Sequence, residues 1–288
     1  MRKSIIDKIN NANINYSDEM IRVELIFSKA PVVEHFYTGN FGLPAVNMMT
    51  IEKYINDFLF IKYEYSGTYI SVRDMRTSLK LTEEDLNNNN NNKEKLLLYY
   101  EFILNMISLL NRKLLPTDRY NQNSVNKLLN NIQIVLEKLN YKIVEKNNYF
   151  YIVEKDISSS AISEIYPELS DVVIEYRRFD LKGNIVAKRN ILQTLSLKIE
   201  GIESKLKGTT YNPLVRDLKN LYNNLHIRHN NLGENPNNNT IEMDDETLEN
   251  WYDITYDTTL TALMICNYLD YHIQIDSLPD FYKNKNVS

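Results

Sequence analysis

The chain has 288 residues, 43% hydrophobic and 25% charged, enough for one large or two ordinary packed domains and not the composition of a disordered polymer. Its seven glycines are too scattered to build G-x-G-x-x-G or G-x-x-x-x-G-K-[ST], and its one cysteine, Cys266, excludes a disulfide framework or a multi-thiolate zinc site. The net charge of -5 divides into 20 Lys/Arg against 19 Asp/Glu over residues 1–156 (+1) and 13 against 19 over residues 157–288 (-6), which is not the basic footprint of a sequence-independent DNA binder and leaves only a local RNA contact open.

Residues 1–15 alternate charge, Asn and single apolar residues, so no secretory leader is expected. A first helix is suggested by Ile5, Ile6, Ile9 and Ile14, and Ser17-Asp18-Glu19 reads as the cap of a second. Residues 31–44, bounded by two prolines and holding His35, Gly39 and Gly42, read as a loop. Thr50 caps a helix through Ile51, Tyr54, Ile55, Phe58 and Leu59, and residues 69–79 fit a short strand or a helix. Six asparagines, 87–92, form a loop; asparagine is abundant throughout, with 39 copies, and suits turns.

Residues 93–115 carry a broad apolar stripe at helical period, ended by Pro116. Residues 124–139 repeat the pattern. The period then changes to two. Tyr141-Lys-Ile-Val-Glu145 and Tyr149-Phe-Tyr-Ile-Val-Glu154, joined through Lys146-Asn147-Asn148, give a hairpin signal. Helix plus hairpin is the outline of a winged-helix unit and equally of any small α+β insert. Beyond it the chain is helical again, over residues 158–167, 170–178, 183–207, 212–228 and from Asp244 to about 270. The expected fold is therefore mainly α, a helical bundle with one β-hairpin near the middle, in two domains, 1–156 and 157–288. No stretch is long and apolar enough for a membrane span, and a reducing cytoplasm is the expected setting.

The chemistry-bearing stretch is 221–231, Leu-Tyr-Asn-Asn-Leu-His-Ile-Arg-His-Asn-Asn. Leu214, Leu218, Leu221 and Leu225 step along one helical seam, and the next position on it is Arg228. A desolvated guanidinium needs a partner. One reading makes Arg228 a buried ion-pair residue held by an acid of the last helix. The other makes Arg228 and His229 a site at a helix end, with Arg228 stabilising a phosphorane-like charge and His229 moving a proton. Asp245, Glu249, Asp253 and Asp257, four apart, form one acidic stripe: a solvated face, partners for Arg228, or a cation site. His226 and His229 are spaced to share a metal, but with no further ligand near them no metal site and no cofactor are expected. Cys266 lies in an apolar run and reads as core, and His35 is a secondary candidate within its loop.

The Arg228-His229-Asn230 segment at a helix end resembles the catalytic segment of HEPN-domain proteins. Trp251-Tyr252-Asp253 on the following helix resembles the C-terminal part of abortive-infection-type proteins. The resemblance covers residues 157–275, and the first half carries none. It implies a helical bundle, usually dimeric, and a metal-independent ribonuclease used in phage defence. The family motif is Arg, a polar residue, then His four to six residues on. Here the first two positions are filled, whereas Gly233, Glu234 and Asn235 stand where the His belongs. The resemblance casts Arg228, His229 and Asn230 as catalytic and Asn224, His226 and Asp253 as RNA-binding or supporting residues. Two functions stay open: an RNA-cleaving abortive-infection protein acting as a homodimer, or a non-catalytic helical protein that binds a phage component or a companion effector.

Overall fold

The computed structural model describes residues 14–60, 69–87, 92–225, 227 and 243–285. They are mainly helical, with two small antiparallel sheets. The chain divides into two compact units, Met1–Ile152 and Val153–Ser288. Among the described residues, no helix is long and apolar enough to cross a membrane.

The first described helix of this unit, α1 (Tyr16–Glu24), is capped by Asn15, whose side chain accepts the N–H groups of Ser17 and Asp18. A π-type turn, Leu25–Lys29, continues it and buries Phe27. The prolines at 31 and 44 do not enclose a loop. They flank a hairpin: β1 (Val33–Thr38) pairs antiparallel with β2 (Pro44–Met49), from Val33 opposite Met49 to Thr38 opposite Pro44. Pro44 is the first residue of an edge strand, where its missing N–H breaks no ladder. Gly39 closes the connection by donating to the Leu43 carbonyl, and Phe41 and Gly42 take left-handed φ values of 63° and 75° there.

Thr50 caps α2 (Ile51–Tyr54), which runs into a second π-type turn, Ile55–Leu59. Ser71 caps α3 (Val72–Ser78), so residues 69–79 resolve as helix rather than strand. The short α4 (Glu83–Asn87) precedes α5 (Lys93–Lys113), which is buried almost all round and is the unit's central helix. β3 (Arg119–Tyr120) adds to the free edge of β1, giving the order β2-β1-β3. Asn121 caps α6 (Gln122–Lys138), and the predicted hairpin follows as β4 (Tyr141–Lys146) and β5 (Tyr149–Glu154). Asn147 and Asn148, at φ 53° and 66°, supply the two positive-φ residues a two-residue type I′ turn needs. Two polar side chains of α5 dock this hairpin. Asn105 bonds both the N–H (3.0 Å) and the carbonyl (2.8 Å) of Phe150, and Glu101 accepts the N–H of Ile152 at 2.8 Å.

Among its described residues, the second unit has no strand apart from the end of β5. Asp156, rather than Ser158, caps α7 (Ile157–Ile165). α8 (Ser170–Tyr176), α9 (Ile185–Leu206), α10 (Asn212–Asn224) and α11 (Asp245–Lys285) follow. Leu192, Leu195, Leu218, Tyr222, Tyr256 and Leu260 are fully buried at its centre, and Cys266 lies in the same core.

Candidate functional site

α10 carries the segment singled out by sequence. Its buried face is Val215, Leu218 and Tyr222, continued by Leu225, while Leu214 and Leu221 sit at the margin. The helix stops after Asn224, short of residue 228, because the Asn223-Asn224 pair has weak helix propensity and the chain turns to bury Ile227. The Ile227 N–H closes onto the Tyr222 carbonyl at 3.1 Å, five residues back. Helical phase therefore cannot be extrapolated to Arg228. Asn224 is exposed on the last turn. His226, Arg228, His229 and Asn230 lie outside the described residues.

Asp253 is on α11 and has partners of its own. It accepts a hydrogen bond from the Tyr176 hydroxyl at 2.8 Å and an ion pair from Lys188 Nζ at 2.7 Å. No described hydrogen bond joins it to Asn224. Glu249 and Asp257 of the acidic stripe are engaged in the same way, while Asp245 is exposed. Glu249 pairs with Lys188 at 2.7 Å and accepts the Gly183 N–H at 2.8 Å; Asp257 receives Arg177 Nη2 at 2.6 Å. Arg177 also reaches Asp156 at 3.0 Å and lies over the Tyr256 ring, 4.7 Å from its centroid. Tyr176 and Tyr256 stack at 4.0 Å, tilted by 6°. Among the described residues the stripe forms no cation site, and its exposed members, Asp245 and Asp257, still face solvent. It is one side of an ion-pair network with α8 and α9.

Burial sets the electrostatics of this network. It pushes the Tyr176 and Tyr256 hydroxyls far above the ordinary phenol range, so both remain neutral donors. Burial alone would raise Asp156, but the Ser159 hydroxyl and the Arg177 charge outweigh it and hold its carboxyl below the usual range. Sequence reading missed Lys188 and Arg177. Lys188 could have been found: it falls three and four residues before Ile191 and Leu192, on the apolar seam of α9, where an amine requires an acid partner. Among the described residues no group of three His, Cys, Asp or Glu side chains could hold a metal ion.

The first unit holds a second polar centre, around His35. On β1 this residue faces α2 rather than lying in a loop. Its Nδ1 is 2.8 Å from Asp118 Oδ2. Asp118 is fully buried and also accepts the Tyr54 hydroxyl at 2.7 Å, the Phe36 N–H at 2.9 Å and the Thr117 hydroxyl at 3.2 Å. Burial opposes its ionisation, yet the bonds from His35, Phe36 and Tyr54 prevail and keep the carboxyl below the ordinary range. Phe58 packs on the imidazole at 4.3 Å. A separate cleft of about 920 Å³ is floored by Glu24, Glu52 and Arg76. Arg76 uses its Nε and both Nη atoms on Leu81 O, Ser28, Glu52 and Glu24, so it offers no free donor to an anion.

No protein-family model matches this chain, and no curated protein and no solved structure matches it either.

Proposed function

We propose that this chain is an RNA-directed abortive-infection effector whose second unit acts as a HEPN-like, metal-independent endoribonuclease. The observation that supports it is the end of α10. Leu225 and Ile227 are both buried in the helical core, so the chain is anchored up to the residue before Arg228-His229-Asn230. A catalytic segment needs such an anchor, because a loosely held base loses most of its advantage. In the proposed reaction His229 takes the proton of a ribose 2′-hydroxyl. The 2′-oxygen forms a bond to the adjacent phosphorus as the bond from phosphorus to the 5′-oxygen breaks. The leaving oxygen takes a proton from solvent, and Arg228 stabilises the charge on the phosphorane. Asn230, Asn224 and His226 would orient the strand, and two chains about a two-fold axis would bring two such ends together. Asp253 is better described as a structural acid, since Lys188 and Tyr176 already occupy it.

The test is induced expression of wild type beside Arg228→Ala and His229→Ala, with total RNA read on a gel. RNA loss and growth arrest confined to wild type is the expected result. If Arg228→Ala degrades RNA as wild type does, the mechanism fails. A second reading, a non-catalytic interaction protein, is favoured by one feature: the family's downstream His is replaced by Gly233, Glu234 and Asn235. It predicts intact RNA in every strain, with a partner recovered on the wild-type protein.

A further inference from the structure

The face of the β1–β2 hairpin that carries His35 has the parts of a small hydrogen-bonding and stacking site. Asp118 accepts from Phe36, Tyr54 and Thr117, which leaves it an acceptor for every neighbour. His35 Nδ1 therefore donates to Asp118, and in the neutral ring Nε2 is the acceptor. Nε2 has no partner among the described residues and is not a buried unsatisfied atom. The ring itself is held: its side chain is only 16% exposed, packed on Phe58 and bonded at Nδ1.

Two more side chains share this face. Asn47 stands directly opposite His35 across the strand pair and is exposed. Residues opposite each other in an antiparallel pair project to the same side, about 5 Å apart at Cβ. Tyr37, two residues along β1, also projects there. The residue is 48% exposed, and its ring lies parallel to the imidazole, tilted 12°, with centroids 6.0 Å apart. A held acceptor, an amide with both donor and acceptor, and a half-open aromatic ring on one rigid strand pair are the groups that read an unpaired base by its edge and its face.

We infer that His35, Tyr37 and Asn47 form a binding site for an unstacked base of single-stranded RNA. Tyr37 stacks on the base, His35 Nε2 accepts from it, and Asn47 completes the edge contact. This rests on the reading of the chain as RNA-directed, but it places substrate recognition in the first unit, apart from the Arg228 segment.

The experiment titrates 5′-fluorescein-labelled single-stranded RNA homopolymers of about 12 nucleotides into the full-length protein at low salt, read by anisotropy. Wild type is expected to bind at least one of them. Tyr37→Ala is expected to weaken that binding at least about fivefold, the effect of one lost base stack, and Tyr37→Phe to retain it. Asn47→Ala should also weaken it. His35→Phe adds a third variant; because it strips Asp118 of a partner, the exposed Tyr37 and Asn47 positions carry the test if it fails to fold. The site is overturned if wild type binds none of the homopolymers, or if Tyr37→Ala and Asn47→Ala bind as wild type does. RNA loss in cells that needs Arg228 while Tyr37→Ala keeps full affinity sinks this site and leaves the nuclease. Binding through Tyr37 with no RNA degradation does the reverse.

Discussion

Arg76 in the first unit and the Arg177–Lys188 pair in the second each gather carboxylates from distant stretches of chain, under different conditions. Arg76 and Glu24 are nearly buried at the side of the cleft, their side chains 6% and 8% exposed, with Tyr99 donating to Glu24 and Glu52, 26% exposed, completing the set. In the second unit burial is graded. Lys188 is 8% exposed but its partner Asp253 is 38%, and Arg177 at 19% meets Asp257 at 61%. A nearly buried pair has little water to solvate a partner left behind, whereas a half-open one has more. Arg76 should therefore matter for whether the first unit folds, and Lys188 and Arg177 for how firmly α11 is held to α8 and α9.

The comparison can be broken first at Arg76. Arg76→Met leaves Glu24 and Glu52 without their cation and should cost about 3–5 kcal/mol in urea unfolding. Adding Glu24→Gln should recover part of that loss, because the uncompensated charge is then removed. A single-variant cost below about 1 kcal/mol would mean that water reaches the cluster. Lys188→Met should cost less, about 1–3 kcal/mol, since Asp253 keeps access to solvent; added salt should shrink the difference from wild type more than it does for Arg76→Met.

pH sharpens the same contrast. Asp118 and Asp156 titrate lower in the folded chain than in the unfolded one. Their contribution is then present above the unfolded carboxylate range, near pH 4, and is lost as pH falls below it. Unfolding midpoints between pH 6 and pH 3 should drop steeply for wild type, and less steeply for Asp118→Asn. Asp257 has the opposite sign: partial desolvation raises it against the Arg177 charge, and with its side chain 61% exposed the effect on stability is small. Asp257→Asn is accordingly the smallest effect, within about 1 kcal/mol of wild type by thermal melting.

Much of the helical framework was legible from local patterns. The stripes of α5, α6, α9 and α10 and the Asn147-Asn148 turn carry their own physics, in period and in backbone preference. The β1–β2 hairpin was not legible. Pro44 and Gly39 read as loop residues, and strand pairing across six residues has no signature in either strand alone. The candidate site divides similarly. Arg228-His229 was marked by chemistry and spacing, but the phase that pointed Arg228 inward assumed a helix that ends after Asn224. His35 was noticed as a residue type, while Asp118, which makes it a site, lies 83 positions away.

What the sequence determined by itself is thus what depends on neighbours within a turn or two: helix periods, the central hairpin, the mainly α class and the lack of glycine-loop or multi-cysteine chemistry. What only the tertiary structure decided are the long-range pairings. Lys188 meets Glu249 and Asp253, Arg177 meets Asp156 and Asp257, and His35 meets Asp118. Each is a choice among many charges of the right sign. Burial makes the choice, by removing water as the alternative partner, and burial is a property of the packed chain rather than of any segment of it.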